Sequence, residues 1–154
     1  MIRLLSIDSN QEKWFSEACT LYENKIPPLY PFERLGIKSS PRSRQKALQK
    51  VDAESEALSG KLRDGLLVIC DEKGKSYDSL GFSQFLVNNI ESGSRKIDFV
   101  IGGAFGLNND LKNRAHHMIC LSPFVLNHMV AQVVLMEQIY RGLSIWKGLP
   151  YHNS

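Results

Sequence analysis

IDFVIGG, residues 97–103, is the stretch that decides the fold of this chain. It is an apolar run that ends in two glycines, which is typical of a strand buried on both faces of a sheet. Similar runs are GLLVIC at residues 65–70 and HMICLS at residues 117–122. Because helical patterns separate these runs, the sequence predicts one α/β domain, residues 1–154, with a parallel sheet and helices on both faces.

The rest of the chain continues this alternation of strands and helices. Residues 71–75, DEKGK, consist of turn-forming types and predict a turn that pivots at Gly74. Residues 127–143 are apolar around most of a helix, which indicates a buried helix or a subunit interface. The other predicted elements are strands at 2–7 and 32–37, helices at 14–22 and 80–90, a helix ending near 62, and a helix capped by Asn108 or Asn109.

The bulk composition excludes several classes of protein. The chain has 154 residues and a formal net charge of +3, far less basic than a ribosomal or histone-like tail. Three cysteines without a CxxC spacing suit free thiols in a reducing cytosol. No run approaches a membrane span, and Asp8 interrupts the first apolar run too early for a signal peptide. We therefore expect a cytoplasmic protein with no membrane partner.

The segment KSSPRSRQKALQK, residues 38–50, is basic and rich in serine. It fits two descriptions: a solvated loop that runs into a helix, or a mobile arm that binds phosphate. Composition favours the loop. The histidine pair at residues 116–117 has no zinc-type spacing, so we expect no metal site.

Ligands of open parallel sheets bind beyond the carboxyl ends of the strands, which directs attention to residues 70–75, 102–106 and 121–128. IGGAFG resembles a dinucleotide fingerprint only loosely and lacks an acidic partner downstream, which disfavours an NAD-dependent oxidoreductase. LSPFVLN, residues 121–127, is an apolar connection. It suits either a flat aromatic ligand held by backbone groups or a core-filling role. From the residues alone, we infer an α/β domain that binds a small ligand and ends in a polar tail, GLPYHNS.

Three motifs carry the sequence further: IGG-x-x-G at residues 101–106, H…EQ-x-YR from His128 to Arg141, and the terminal Tyr151-His152. Together they resemble the ribosomal RNA large subunit methyltransferase H family of the SPOUT superfamily over essentially the whole chain. The resemblance implies a C-terminal trefoil knot of SPOUT type and a homodimer. It also implies S-adenosylmethionine as cofactor. The implied reaction is methylation of N3 of a pseudouridine in large-subunit (23S) ribosomal RNA of the assembled ribosome, not of DNA.

The resemblance also implies roles for particular residues. His128, Arg141, Tyr151 and His152 are implied as catalytic, with His152 or His128 as general base, Tyr151 stacking on the target base and Arg141 holding phosphate. The implied cofactor-binding residues are Cys70, Gly102, Gly103, Leu121, Ser122, Pro123, Phe124, Val125 and Leu126.

This chain departs from the family pattern at three places. It has Asn127 where a proline precedes the histidine, Gln132 where an arginine is usual, and Ala104-Phe105 between the glycines. Glutamine supplies neither the charge nor the donor fork of arginine. These departures favour weaker RNA binding or slower transfer, and they keep a catalytically weak cofactor- and ribosome-binding relative as the alternative.

Overall fold

The computed structural model describes residues 1–8, 12–38 and 47–152. Most of the basic segment, residues 39–46, therefore lies outside the described residues. The elements in chain order are β1 (Ile2–Asp8), α1 (Lys13–Lys25), β2 (Phe32–Lys38), α2 (Ala47–Ser59), β3 (Leu66–Ser76), α3 (Ser79–Glu91), β4 (Ile97–Ile101), α4 (Asn109–Asn113), β5 (His117–Cys120) and α5 (His128–Trp146).

The described strands form one parallel sheet in the order β2-β1-β4-β3-β5. Successive side chains of the strands point to opposite faces. Leu4 and Phe99 pack with α1, α3 and α5, whereas Leu5 and Val100 pack with α2 and α4. The prediction of a parallel α/β sheet with helices on both faces is therefore confirmed.

A buried ion pair joins the two central strands. Arg3 and Asp98 are register partners in β1 and β4, and the Arg3 guanidinium donates to both Asp98 carboxylate oxygens at 2.8 and 2.6 Å. The guanidinium also donates to the Lys61 carbonyl at 2.9 Å. Buried charges are tolerated when they are paired and hydrogen-bonded in this way. A one-residue slip of β4 would separate the two charges, so the pair favours the observed register.

The predicted turn at residues 71–75 is wrong. The chain remains a strand to Ser76, and both Cys70 and Lys75 lie opposite Ile119 of β5. The intervening residues bulge out of the ladder, and the ladder then resumes. At Gly74 a Cβ atom would lie 2.5 Å from the Ile119 backbone, so glycine is required for this close approach.

The last helix is confirmed and is longer than predicted. It begins at His128 and ends at Trp146, and the Asn127 side chain caps it by accepting from the Met129 amide at 2.8 Å. One side of the helix is buried through Leu135 and Ile139. Among the described residues, no helix is long and apolar enough to span a bilayer.

Candidate functional site

A cavity of about 590 Å³ opens beyond the carboxyl ends of β4 and β5 and beside the bulge of β3. This volume is in the range of small-molecule sites. Its position follows from the parallel sheet, because β4 and β5 end at the same edge, where β3 leaves the regular ladder. Its walls are a glycine loop after β4, the bulge of β3, and the connection between β5 and α5. The lining residues that the sequence predicted are Cys70, Gly102, Gly103, Leu121, Ser122, Phe124, Val125, Leu126 and His128.

The glycine loop has no room for side chains at two positions. A Cβ atom at Gly102 would lie 2.8 Å from the backbone of Gly106, and one at Gly103 would lie 2.5 Å from a carboxylate oxygen of the buried Glu54. Gly106 has a φ of +79° and donates its N–H to the Gly103 carbonyl at 3.0 Å, which closes a tight turn. Glycine at these two positions therefore lets the loop pack closely on itself and on Glu54 while it lines the cavity.

The connection between β5 and α5 is apolar and exposed at its centre. Phe124 and Val125 are 82% and 88% exposed. The Ser122 hydroxyl accepts from the Phe124 amide at 2.9 Å, and the Cys120 thiol donates to the Ser122 carbonyl at 3.0 Å. These bonds hold the connection in a defined shape. Pro123 belongs to it but is not among the residues that line the cavity.

An ion pair in the cavity wall was not predicted from the sequence. Lys112 of α4 donates to Asp71 of the β3 bulge at 2.6 Å. Burial raises the pKa of the Asp71 carboxyl, but hydrogen bonds from Lys112 and from the Lys73 amide outweigh this effect, so the net pKa lies below its ordinary value. Burial also raises the pKa of the neighbouring Cys70 thiol, with smaller contributions from Asp71 and Cys120. Cys70 is therefore a neutral part of the wall.

The C-terminal tail folds back along α5. Gly148, with a φ of +66°, ends the helix, and the Leu149 amide donates to the Ser144 carbonyl at 2.9 Å. The tail then brings Tyr151 against Tyr140, with ring centroids 4.6 Å apart. The tail therefore has a fixed course over the last turns of the helix.

Glu137 and Arg141 organise the tail into a polar cluster. Glu137 Oε1 accepts from Arg141 Nε and Nη2 at 3.0 and 2.6 Å and from the Tyr151 hydroxyl at 3.2 Å. The Arg141 guanidinium covers the Tyr151 ring at 4.7 Å, and its Nη1 lies 3.3 Å from His152 Nδ1. We call Glu137, Arg141, Tyr151 and His152 the tail cluster.

Tyr22 of α1 completes this arrangement. The pKa of Tyr22 is raised to about 12, mainly by burial and to a smaller extent by its hydrogen bond with Tyr151. The hydrogen bond with Glu137 raises the pKa of Arg141. Tyr22 beside the tail cluster is therefore a neutral phenol, and Arg141 within the cluster is a permanent cation.

Within one chain, the tail cluster and the cavity lie apart. His128 lines the cavity at the first turn of α5, whereas Arg141 lies 13 positions further along the helix. At a rise of 1.5 Å per residue, these positions are about 20 Å apart. The structure therefore brings together His128 and the predicted cofactor-binding residues other than Pro123, and separately Arg141, Tyr151 and His152.

Gln132 lies in the core and not in the cavity. It is fully buried, and its Oε1 accepts from the Ser6 hydroxyl at 2.9 Å and from Arg34 at 3.4 Å. Arg34 also pairs with Asp8 and Glu23. The Arg34 guanidinium of β2 therefore contacts Gln132, which occupies the position where the resemblance implies an arginine.

Among residues 1–8, 12–38 and 47–152, no group of three or more His, Cys, Asp or Glu side chains is placed to hold a metal ion. The observed site is instead a cavity with a glycine loop on one side and an apolar connection on the other. A cavity at this edge of an open parallel sheet is where α/β proteins that bind small ligands hold them, so the fold and the cavity define the chain as an α/β protein with a candidate ligand site.

Comparison with known proteins identifies the family. A family model described as "predicted SPOUT methyltransferase" matches residues 1–152. The chain is 38% identical to the ribosomal RNA large subunit methyltransferase H of Bdellovibrio bacteriovorus, over 97% of each protein. It is 34% identical to the protein of that name from Nitrosomonas eutropha, over 99% of each. The chain belongs to the ribosomal RNA large subunit methyltransferase H family of SPOUT methyltransferases.

Two solved structures share the fold at low sequence identity. A probable methylase family protein from Haemophilus influenzae has a TM-score of 0.57 and 15% identity, covering 99% of this chain and 70% of that one. A probable methyltransferase from Bordetella pertussis has a TM-score of 0.58 and 12% identity, covering 92% and 95%. At these identities the likeness concerns the fold alone.

Proposed function

We propose that this chain is an S-adenosylmethionine-dependent methyltransferase. Its substrate would be N3 of a pseudouridine in large-subunit (23S) ribosomal RNA of the assembled ribosome. The observation that carries the proposal is the full-length match to relatives named ribosomal RNA large subunit methyltransferase H. Family membership also supports a C-terminal trefoil knot and a cytoplasmic location, both of which are part of the proposal.

The cavity fits the proposed cofactor. Its volume suits an adenosyl group, and the loop that contains Gly102 and Gly103 forms part of its wall. Backbone groups of residues 121–126, with Cys70 on the opposite wall, would hold the adenine. When bound, the cofactor supplies a methyl group on a sulfonium sulfur. The protein's main contribution to such a displacement is alignment of donor and acceptor.

We propose that the active unit is a homodimer, because Arg141 of the tail cluster lies about 20 Å along α5 from His128 at the cavity of its own chain. In a head-to-tail or two-fold pair, the tail of one chain can reach the cavity of the other. Exposed apolar side chains surround the cavity mouth at Phe105, Phe124 and Val125, as expected of a surface that a second copy covers. Pairing also doubles the net charge of +3 available for RNA.

The tail cluster has the chemistry for an unpaired RNA base. Loop bases are recognised by stacking and by hydrogen bonds to their edges, which Tyr151 and His152 supply. The permanent charge of Arg141 suits phosphate or a developing negative charge. In the proposed dimer, His128 at the cavity of one chain and His152 in the tail of the other would be the imidazoles nearest the reacting nitrogen.

The test is transfer of labelled methyl groups to ribosomes from a strain that lacks its own copy of the enzyme. Wild-type protein is expected to give an N3-methyl product in large-subunit RNA. The double variant Tyr151→Ala, His152→Ala is expected to abolish methylation and to leave cofactor affinity, measured by calorimetry, unchanged. Unchanged methylation by the double variant contradicts the role of the tail. A monomer mass at micromolar concentration contradicts the dimer.

The alternative is a catalytically weak relative that binds cofactor and ribosome. Gln132 favours it, because a neutral, fully buried side chain stands where the resemblance expects a cation. The same assay separates the two, since a binder gives no N3-methyl product.

A further inference from the structure

We infer that His152 acts as a hydrogen-bond donor through Nε2–H, and that it is not the general base. The inference rests on the proposed function and assigns the role of one residue of that site. It comes from the pairing of His152 Nδ1 with Arg141 Nη1 at 3.3 Å.

The first step concerns which atom donates. A guanidinium has five N–H donors and no acceptor, and it remains protonated in proteins. The His152 Nδ1 atom must therefore accept the bond from Arg141. A proton on Nδ1 would set two N–H groups against each other. In the neutral ring the proton consequently lies on Nε2.

The second step concerns the rigidity of the guanidinium. Arg141 Nε and Nη2 are both occupied by Glu137 Oε1, which leaves Nη1 directed to His152. The Tyr151 ring packs against the guanidinium plane at 4.7 Å. Because the guanidinium group of Arg141 is planar, these contacts together fix the direction of its Nη1 atom. Arg141 is thus a positioning residue that selects the tautomer of His152.

The third step concerns the reaction. The N3–H group of a uracil-type base lies between two carbonyl groups, and its deprotonation spreads negative charge over both oxygens. The N3 proton passes to water. The nitrogen lone pair then forms the bond to the methyl carbon while the carbon–sulfur bond breaks and its electron pair stays on sulfur. An Nε2–H donor at a carbonyl oxygen stabilises the anion, in the manner of an oxyanion hole.

Three substitutions distinguish a donor from a base. His152→Gln places an amide N–H near the position of Nε2, His152→Asn places one near Nδ1, and His152→Ala removes both. A donor role predicts that H152Q stays within about 10-fold of the wild-type methylation rate, whereas H152N and H152A lose about 100-fold or more. If H152Q is as inactive as H152A, the donor role is refuted.

A second measurement does not depend on activity. Nitrogen-15 NMR of the full-length protein reports the tautomer of each histidine, and the spectrum of H152Q identifies the signals of His152. The expected wild-type result is the Nε2–H tautomer. Arg141→Met is expected to introduce the Nδ1–H form, whereas Lys13→Met, a change at a distant exposed cation, is expected to leave the tautomer unchanged. An Nδ1–H tautomer in the wild type overturns the inference.

The two failures are distinguishable. If wild-type protein transfers no methyl group to ribosomes, the proposed function fails, while the NMR measurement still reports the tautomer. If methylation occurs and His152 carries its proton on Nδ1, only the donor role fails.

Discussion

Replacing Glu137 by glutamine is expected to release the tail without affecting the cavity. Glu137 Oε1 holds Arg141 through two bonds and Tyr151 through a third. Glutamine keeps the shape and an acceptor oxygen but loses the charge. Tyr151 and His152 then lose the partner that fixes their position over the end of α5.

The magnitude follows from the contacts. Hydrogen bonds to a charged group contribute about 1.5–3 kcal/mol, against about 1 kcal/mol for neutral pairs. The side chains of Glu137 and Arg141 are 20% and 24% exposed, so solvent screening reduces the loss to about 1–2 kcal/mol. Since 1.4 kcal/mol corresponds to a factor of ten, the ordered tail should be about 5- to 30-fold less populated.

The assay is kcat/KM for methyl transfer to ribosomes, with cofactor Kd measured in parallel. We expect kcat/KM of E137Q to fall about 5- to 30-fold. The cofactor Kd should stay within twofold, because Glu137 lies nine positions from His128 along α5, or about 14 Å. The matched control is Glu17→Gln, in the exposed i, i+4 pair Lys13–Glu17 at 3.7 Å. Unchanged kcat/KM, or equal losses in E137Q and the control, refutes the reasoning.

Three further predictions concern stability and the tail. Gly74→Ala forces a Cβ atom into the backbone of β5 and should lower the free energy of unfolding by about 1–3 kcal/mol in urea denaturation. Because the pKa of Asp71 is lowered in the fold, its pairing with Lys112 stabilises the fold above pH 3.8, the ordinary pKa of the carboxyl, and this stabilisation is lost as the pH falls below that value. Asp71→Asn should therefore make the unfolding free energy less dependent on pH in the acid range, which denaturation at a series of pH values measures. Tyr22, with its pKa raised to about 12 from 10.0, stabilises the fold below pH 10 and loses this contribution as pH approaches 12. Tyr22→Phe should remove that alkaline loss and lower methylation about 2- to 10-fold through the bond to Tyr151; a pH profile like that of wild type contradicts it.

The buried strands could be predicted because their signal is local. Each of β1, β3 and β4 carries an apolar run, because these strands are buried on both faces of the parallel sheet. The edge strand β5 carries a shorter run, of which Ile119 is buried. The extension of β3 to Ser76 could not be predicted, because Asp71–Lys75 consists of residues that favour turns. The ladder with β5, which lies more than 40 positions downstream, resumes at Lys75 and extends the strand past these residues. Tertiary pairing overrides local preference there.

The candidate site was predictable to a similar degree. The rule that ligands bind at strand ends led to residues that line the cavity, and the resemblance extended the set. The Asp71–Lys112 pair was missed because the two residues are far apart in sequence, although an acidic residue directly after a buried strand was a usable signal. The distance between His128 and Arg141 could also be predicted from the sequence, because both residues lie in one predicted helix.

The strand order has a consequence for synthesis of the chain. The inner edge of β1 pairs with β4, and the ion pair between them joins Arg3 and Asp98, 95 positions apart. A nascent chain can form the β1–β2 pair early, but the centre of the sheet stays open until β4 has left the exit tunnel. Long-range parallel pairing of this kind is slow to form. We therefore expect the protein to become resistant to proteases late in translation, when the segment that becomes α5 leaves the exit tunnel after β4.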